Sequence, residues 1–255
     1  MKIYNQDIPE VTRYINGKKE LKPEDHKPVF MDIFKCIKKY KSIDEGTKIL
    51  EIGSGTGWFQ ILCAREKIQC AGIDISPQLV DYSVNFGLEH GIRPDISVGN
   101  IEDVDIGENK YDIIIACSVF EHVEHWQKGI EKVYKALKKG GLLYFTSTNR
   151  FSPISGEYWF PLYGWLPDKM RYGLRCFFQG EDIMKLGIDF NQFDYVKLRS
   201  FFEKTGFTAF DLADVVDINE KKGYRKFLLG AIKRSRFFKK IGLIFWGTTF
   251  FICIK

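Results

Sequence analysis

No two cysteines in this 255-residue chain are spaced as C-x-x-C, so a zinc-ribbon or dithiol signature is missing. The six that occur are Cys36, Cys63, Cys70, Cys117, Cys176 and Cys253. Most lie in apolar runs, where a free thiol behaves as a small hydrophobe, and reduced cysteines point to a cytoplasmic setting. Residues 1–17 lack the apolar core of a secretory signal, and none is expected. No apolar run reaches the about 20 residues that a membrane-spanning helix needs. The most apolar stretch, 241–254, is too short, and its Phe-, Ile- and Thr-rich end at 248–254 favours a strand. Internal repeats and low-complexity tracts are absent. Neither sign of charge dominates: 38 basic and 33 acidic residues leave +5. That balance is mildly basic and not diagnostic, since a nucleic-acid binder is marked by clustering of its basic residues, and no nucleic acid is expected as a partner.

What is present is an ordinary soluble composition, 45% hydrophobic and 28% charged, enough for a sizeable core. The length suits one α/β domain with an insertion. Residues 1–46 read as a helical preface, with Val29, Ile33, Phe34 and Ile37 on one apolar face. The main domain, 47–255, opens with alternating strands (48–52, 69–75, 95–98, 111–117, 142–147) and helices (58–66, 76–90, 124–139). Ser76 is an N-cap and Pro77 suits the first helical position. Gly91 stops one helix and Gly140-Gly141 another. The alternation implies right-handed crossovers and a mainly parallel sheet with helices on both faces. Ligands on such sheets bind beyond the carboxyl ends of the strands. Residues 150–190 break the rhythm with Pro153, Pro161, Pro167 and the aromatics Phe151, Tyr158, Trp159, Phe160, Tyr163 and Trp165. This reads as an insertion over the active-site edge. The pattern resumes with a helix capped by Asp194 and ended by Gly206, a strand at 207–212, a basic helix at 224–240 and a last strand at 248–254.

Chemistry enters at Gly53, Gly55 and Gly57, directly after a strand and before a helix. Glycine there allows positive φ and close approach of the backbone to a ligand, which then faces helix N-terminal amides. A dinucleotide fingerprint needs a further glycine at position 58; Trp58 stands there, which argues against NAD or FAD. Asp74 ends the second strand about 20 residues on, where a carboxylate accepts hydrogen bonds from ribose hydroxyls. Loop and Asp74 together favour a nucleoside ligand. Farther along, Glu121, His122 and His125 have spacings that a metal site also uses. They follow a buried strand at its carboxyl end, and no metal is expected; His125 reads as a surface residue.

With these residues in hand, the chain resembles the class I S-adenosylmethionine (SAM)-dependent methyltransferases. Residues 48–57 (KILEIGSGTG) resemble their first motif, 72–76 (GIDIS) the second, 99–103 (GNIED) the adenine-binding loop, 111–123 (YDIIIACSVFEHV) the fourth-strand motif and 137–143 (LKKGGLL) the turn into the fifth strand. The Glu-His pair is similar to that of ubiquinone-pathway O-methyltransferases. The resemblance implies a Rossmann-like seven-stranded sheet, mainly parallel, with an antiparallel last strand. It implies that Glu51, Gly53, Ser54, Gly55, Thr56 and Gly57 hold the methionine part of SAM, that Asp74 binds the ribose and that Ile75 flanks the adenine. Asn100 and Ile101 would contact the adenine edge; many relatives carry Asp where Asn100 stands. Cys117 and Ser118 would line the methionine side, and Glu121 or His122 would lie near the transferred methyl, either as a base or only in packing beneath the cofactor.

The expectation is methyl transfer from SAM to a small-molecule acceptor, at oxygen. The aromatic insertion forms either the acceptor wall or a local mini-core. The basic segment 221–245, with Lys221, Lys222, Lys239 and Lys240 among interleaved Phe, Leu and Ile, is either peripheral membrane contact or a helix packed on the sheet with a solvated face. Two rival readings stay open: an RNA or protein methyltransferase, and a non-catalytic SAM-binding or membrane-associated partner protein. Oligomeric state is not legible.

Overall fold

The computed structural model describes residues 9–154, 160–179, 191–217 and 223–255. Helices α1 (Pro9–Lys18) and α2 (Lys27–Lys38) come first. α2 buries Phe30, Ile33, Phe34 and Ile37, spaced i, i+3, i+4, i+7. Val29, expected on that face, is exposed instead: it sits one helical step, about 100°, away from Phe30.

Then follow β1 (Lys48–Ile52), α3 (Trp58–Arg65), β2 (Gln69–Asp74), α4 (Pro77–Glu89), β3 (Asp95–Val98), β4 (Tyr111–Cys117), α5 (Trp126–Ala136) and β5 (Leu137–Thr148). The insertion contributes α6 (Asp168–Gln179). The remaining elements are α7 (Tyr195–Thr205), β6 (Thr208–Asp211), the short α8 (Leu212–Val215), α9 (Gly223–Arg234), α10 (Arg236–Ile244) and β7 (Thr248–Ile254). One seven-stranded sheet has the order β3-β2-β1-β4-β5-β7-β6. β1 to β5 pair in parallel, and β7 runs antiparallel to both β5 and β6. The expected Rossmann-like architecture is therefore present.

Strand periodicity divides the core in two. Ile49, Ile113, Ile115, Tyr144 and Ile252 meet α2 and α3 on one face. Leu50, Ile114, Leu143, Phe145 and Phe251 meet α5 and α7 on the other. The caps follow the chemistry of their residues. The Ser76 hydroxyl accepts from the Leu79 amide, Asp194 accepts from the amides of Val196 and Lys197, and Gly206 takes φ +108° where α7 stops.

Two expected helices end differently. Helix 124–139 stops at Ala136, and Gly140-Gly141 lie inside β5. Leu137 turns extended (ψ 138°) and pairs with Tyr111. Leu137 is buried as helix or as strand, so periodicity alone did not separate the two. The basic helix 224–240 is two helices, because Ser235 is extended (φ −149°) and its hydroxyl caps the Phe238 amide. In the insertion, Tyr163 is buried beneath the Arg171 guanidinium, 5.8 Å from its ring centroid, while Phe160 and Trp165 are exposed. Tyr158, Trp159, Lys221 and Lys222 lie outside the described residues. No helix among the described residues is long and apolar enough to cross a membrane.

Candidate cofactor and acceptor site

The carboxyl ends of β1, β2 and β4 converge on the glycine loop. Gly53, Gly55 and Gly57 all have positive φ, +71°, +55° and +75°. The amides of Gly53 and Ser54 both donate to the Ile73 carbonyl (2.8 and 3.1 Å), tying the loop to β2. A Cβ on Gly57 would meet the Ser83 Cβ at 2.8 Å, and one on Gly53 would overlap the Val119 side chain. Gly53→Ala is therefore strained in backbone and in space. It should lower stability by about 1–3 kcal/mol, read as a drop in the thermal midpoint; an unchanged midpoint would show that the loop has room to move.

Asp74 is buried, and its two oxygens accept from the amides of Gly55 (2.9 Å) and Ser76 (2.9 Å). Burial still pushes its carboxyl above the usual range against those amides. Glu51, also buried, accepts from Gln60 Nε2 at 2.8 Å. Desolvation drives its pKa up to about 8, with a smaller push from Asp74. Among the described residues no basic side chain pairs with either acid. A cationic group beside these two buried acids would favour their ionised forms. The Oγ of Ser54 and the Oε1 of Gln60 are buried without a partner. The cradle, the orphaned oxygens and the paired acids fit a ligand that combines a nucleoside with a cationic amino acid.

Tyr14 and Gln60 were not among the sequence candidates, and Gly72 stood there only as part of the motif 72–76. Tyr14, on α1, brings its hydroxyl to 3.5 Å from where a Gly55 Cβ would lie. Burial, Asp74 and then Glu51 raise its pKa. Val11 and Ile15 seat this helix on Leu79 and Tyr82 of α4. Gln60 orients Glu51. Gly72 admits Gln60 and Ser54 close to β2: a Cβ there would stand 2.7 Å from Gln60 Nε2. A tyrosine 37 residues before Glu51 leaves no local signal; only tertiary packing brings it in.

The other expected residues fall around this centre. Ile75 is half-buried directly after β2, and Thr56 is buried in the loop. Asn100 Oδ1 accepts from the Glu102 amide at 3.0 Å, which shapes the loop after β3. The Gly99 amide donates to the Asp74 carbonyl at 2.8 Å, so that loop abuts Asp74. The Ile101 side chain is buried in the core with Phe120. Ser118 takes φ +53°, rare for a side-chain-bearing residue. Burial, then Glu51, lifts the Cys117 thiol to about 12, with a further push from Glu121. This thiol thus lies in the fields of both the loop acid and the acid beyond β4.

That second acid, Glu121, sits in a 3-10 turn, 1% exposed. Its Oε2 accepts from Ser147 Oγ at 2.5 Å. It lines a cavity of about 190 Å³ with Ser118, Ser147, Asn149, Gly164 and Thr248. Asn149 Nδ2 donates to the carbonyls of Leu243, Ile244 and Trp246 (3.1, 3.0 and 2.7 Å), clamping the end of α10 to the end of β5. His122 is half-buried and His125 exposed, and neither lines this cavity.

Comparison with known proteins places this geometry. A family described as "Methyltransferase domain" matches residues 30–209. A ubiquinone biosynthesis O-methyltransferase of Rickettsia conorii is 24% identical over 178 residues, 68% of this chain and 60% of the relative; the match thus spans about three-fifths of that relative's length. A SAM-dependent methyltransferase from Archaeoglobus fulgidus superposes with TM-score 0.55 at 15% identity, covering 95% of this chain and 99% of its own. Phosphoethanolamine N-methyltransferase 2 of Haemonchus contortus, in complex with S-adenosyl-L-methionine, gives TM-score 0.56 at 14% identity, covering 88% of this chain and 52% of its own. At these identities the superpositions establish the fold.

Proposed function

Since the chain belongs to the methyltransferase domain family, we propose that it transfers a methyl group from SAM to a small-molecule acceptor, at oxygen. The observation that carries the reading is the cavity of about 190 Å³ with a buried carboxylate, Glu121, in its wall. The Cys117 thiol feels both Glu51 and Glu121, which suits a cofactor held by the one acid and an acceptor by the other. A cavity of that size suits a small acceptor better than an RNA or protein chain.

In this reading Asp74 holds the ribose hydroxyls, and Glu51 with the loop 53–57 holds the cationic amino-acid end. Ile75, Asn100 and the backbone at Ile101 border the adenine, and Tyr14 covers the loop. Bound SAM supplies a methyl already activated by its sulfonium, so the chain's work is alignment, exclusion of water and removal of one proton. Ser118 and Ser147 orient the acceptor hydroxyl. Glu121 would accept the proton of that hydroxyl, and bound SAM would supply the methyl, giving an O-methylated acceptor and S-adenosylhomocysteine. We assign the base to Glu121 rather than His122, because Glu121 lines the cavity. The proposed setting is the cytoplasm, and the segment 221–245 carries the charge for peripheral contact with a membrane.

The test is a screen of hydroxyl- and amine-bearing small molecules, read by S-adenosylhomocysteine release. With the acceptor so found, Glu121→Gln should lower kcat by about 10²–10⁴-fold, while the Kd for S-adenosylhomocysteine stays within about twofold. Full activity in the variant would remove Glu121 from the reaction. Release only with amines would move the methyl from oxygen to nitrogen.

A further inference from the structure

Helix α10 is amphipathic with its apolar side turned outward. At 100° per residue, positions 237, 238, 241 and 245 fall within about 100° of one another. All four are exposed: Phe237 68%, Phe238 56%, Ile241 40% and Phe245 45%. The inward side is held by other residues. Leu243 is buried, Gly242 lets Ile232 of α9 approach closely, and Lys239 reaches in to Asp211 (3.0 Å) and Asp214 (2.5 Å). The stripe is therefore not a core face that failed to find its partner. α9 adds Phe227, 78% exposed. At about 200 Å² per large side chain, the four on the α10 stripe expose on the order of 400 Å², the size at which an apolar patch on a soluble protein signals a contact.

The charges around the patch identify the contact. Residues 223–255 hold eight Lys and Arg and no Asp or Glu. Lys226, Lys233, Arg234 and Lys240 are exposed. A hydrophobic stripe on a segment whose own charged side chains are all cations matches a surface that is apolar inside and anionic at its face, which is an anionic lipid bilayer. A second copy of this chain would bring the same cations together and repel.

The patch also adjoins the acceptor cavity. Trp165, exposed in the insertion, stands 6.3 Å from the Phe245 ring (centroid to centroid). Its chain neighbour Gly164, with Gly247 and Thr248 just past α10, lines the cavity. The Asn149 clamp fixes α10 to the strand that carries Ser147. We propose that the outward face of α9 and α10 docks on an anionic membrane surface and sets the acceptor cavity beside the headgroup layer. The docking stands on the surface itself; only its consequence for the acceptor rests on the methyl-transfer reading.

The test uses the full chain with phosphatidylcholine vesicles, with and without phosphatidylglycerol. The protein should co-sediment with the anionic vesicles at low salt and be released by high salt. Phe237→Ser with Phe238→Ser, and separately Lys233→Glu with Lys240→Glu, should each weaken binding at least about tenfold. Met31→Ser, at an exposed apolar residue of α2, should leave it unchanged. Titration of S-adenosylhomocysteine in vesicle-free buffer checks folding and the cofactor reading separately. Normal titration with no sedimentation overturns the docking and leaves the cofactor reading standing. Sedimentation without titration does the reverse. A dimer in ultracentrifugation that Phe237→Ser with Phe238→Ser dissolves would give the face to a second copy and overturn the proposal.

Discussion

Asp74→Ala should weaken S-adenosylhomocysteine binding by at least about a hundredfold, measured by calorimetric titration. A hydrogen bond to a charged group contributes about 1.5–3 kcal/mol, and a ribose offers two hydroxyls. Losing both gives on the order of 10²–10⁴ in Kd. The carboxylate also takes the Gly55 and Ser76 amides, so the alanine variant loosens the loop as well. Asp74→Asn separates the two effects. It keeps the shape and one acceptor oxygen, and it should hold its thermal midpoint within a few degrees while losing about tenfold in affinity. Wild-type affinity in both variants would mean that no ribose sits there, and the cofactor assignment would fall with it.

Glu51 leads to an expected result of similar size, on stability. Its pKa is raised to about 8 in the folded chain, chiefly by burial, against about 4.3 when unfolded. Between these values the folded state keeps a proton that the unfolded state releases. Stability therefore falls as pH rises from about 4.3 to 8, then levels off. At about 1.4 kcal/mol per unit, the loss is on the order of 4–5 kcal/mol. Asp74, raised in the same direction by burial, adds to the slope. Glu51→Gln should flatten most of it, and saturating SAM, whose cationic end pairs with the ionised acid, should recover stability above pH 8. Chemical denaturation at pH 5.5 and 8.5, with and without ligand, measures both. A flat profile for the wild type would mean that the carboxylate is solvated in the folded chain.

Much of the sheet was legible because its central parallel strands, 48–52 and 111–117, are short buried runs. The strands at 48–52, 95–98, 111–117 and 248–254 lie where the sequence reading puts them. Errors arose where two structures bury the same side chain, as at Leu137, or where one residue interrupts a continuous pattern, as Ser235 does in the basic helix. Val29 was misplaced because the true stripe, Phe30 to Ile37, begins one residue later. In the site, Gly53 to Gly57 and Asp74 could be read from local spacing, since the loop and its acid belong to one βαβ unit. Tyr14 and the Asn149 clamp could not, because their partners lie far along the chain and meet only after the helices pack. Within the described part of the insertion, Tyr163 is buried beneath Arg171 and Trp165 is exposed.

The place of β7 bears on the order in which the molecule assembles. It lies between β5 and β6, so β6 has no seat in the sheet until residues 248–254 have left the ribosome. The glycine loop, Asp74 and their supporting strands are all made before residue 118. The Asn149 clamp waits for residues 243–246, and two linings of the acceptor cavity, Gly247 and Thr248, come later still. The glycine loop and Asp74 are thus synthesised more than a hundred residues before Gly247 and Thr248, which complete the lining of the cavity at Glu121.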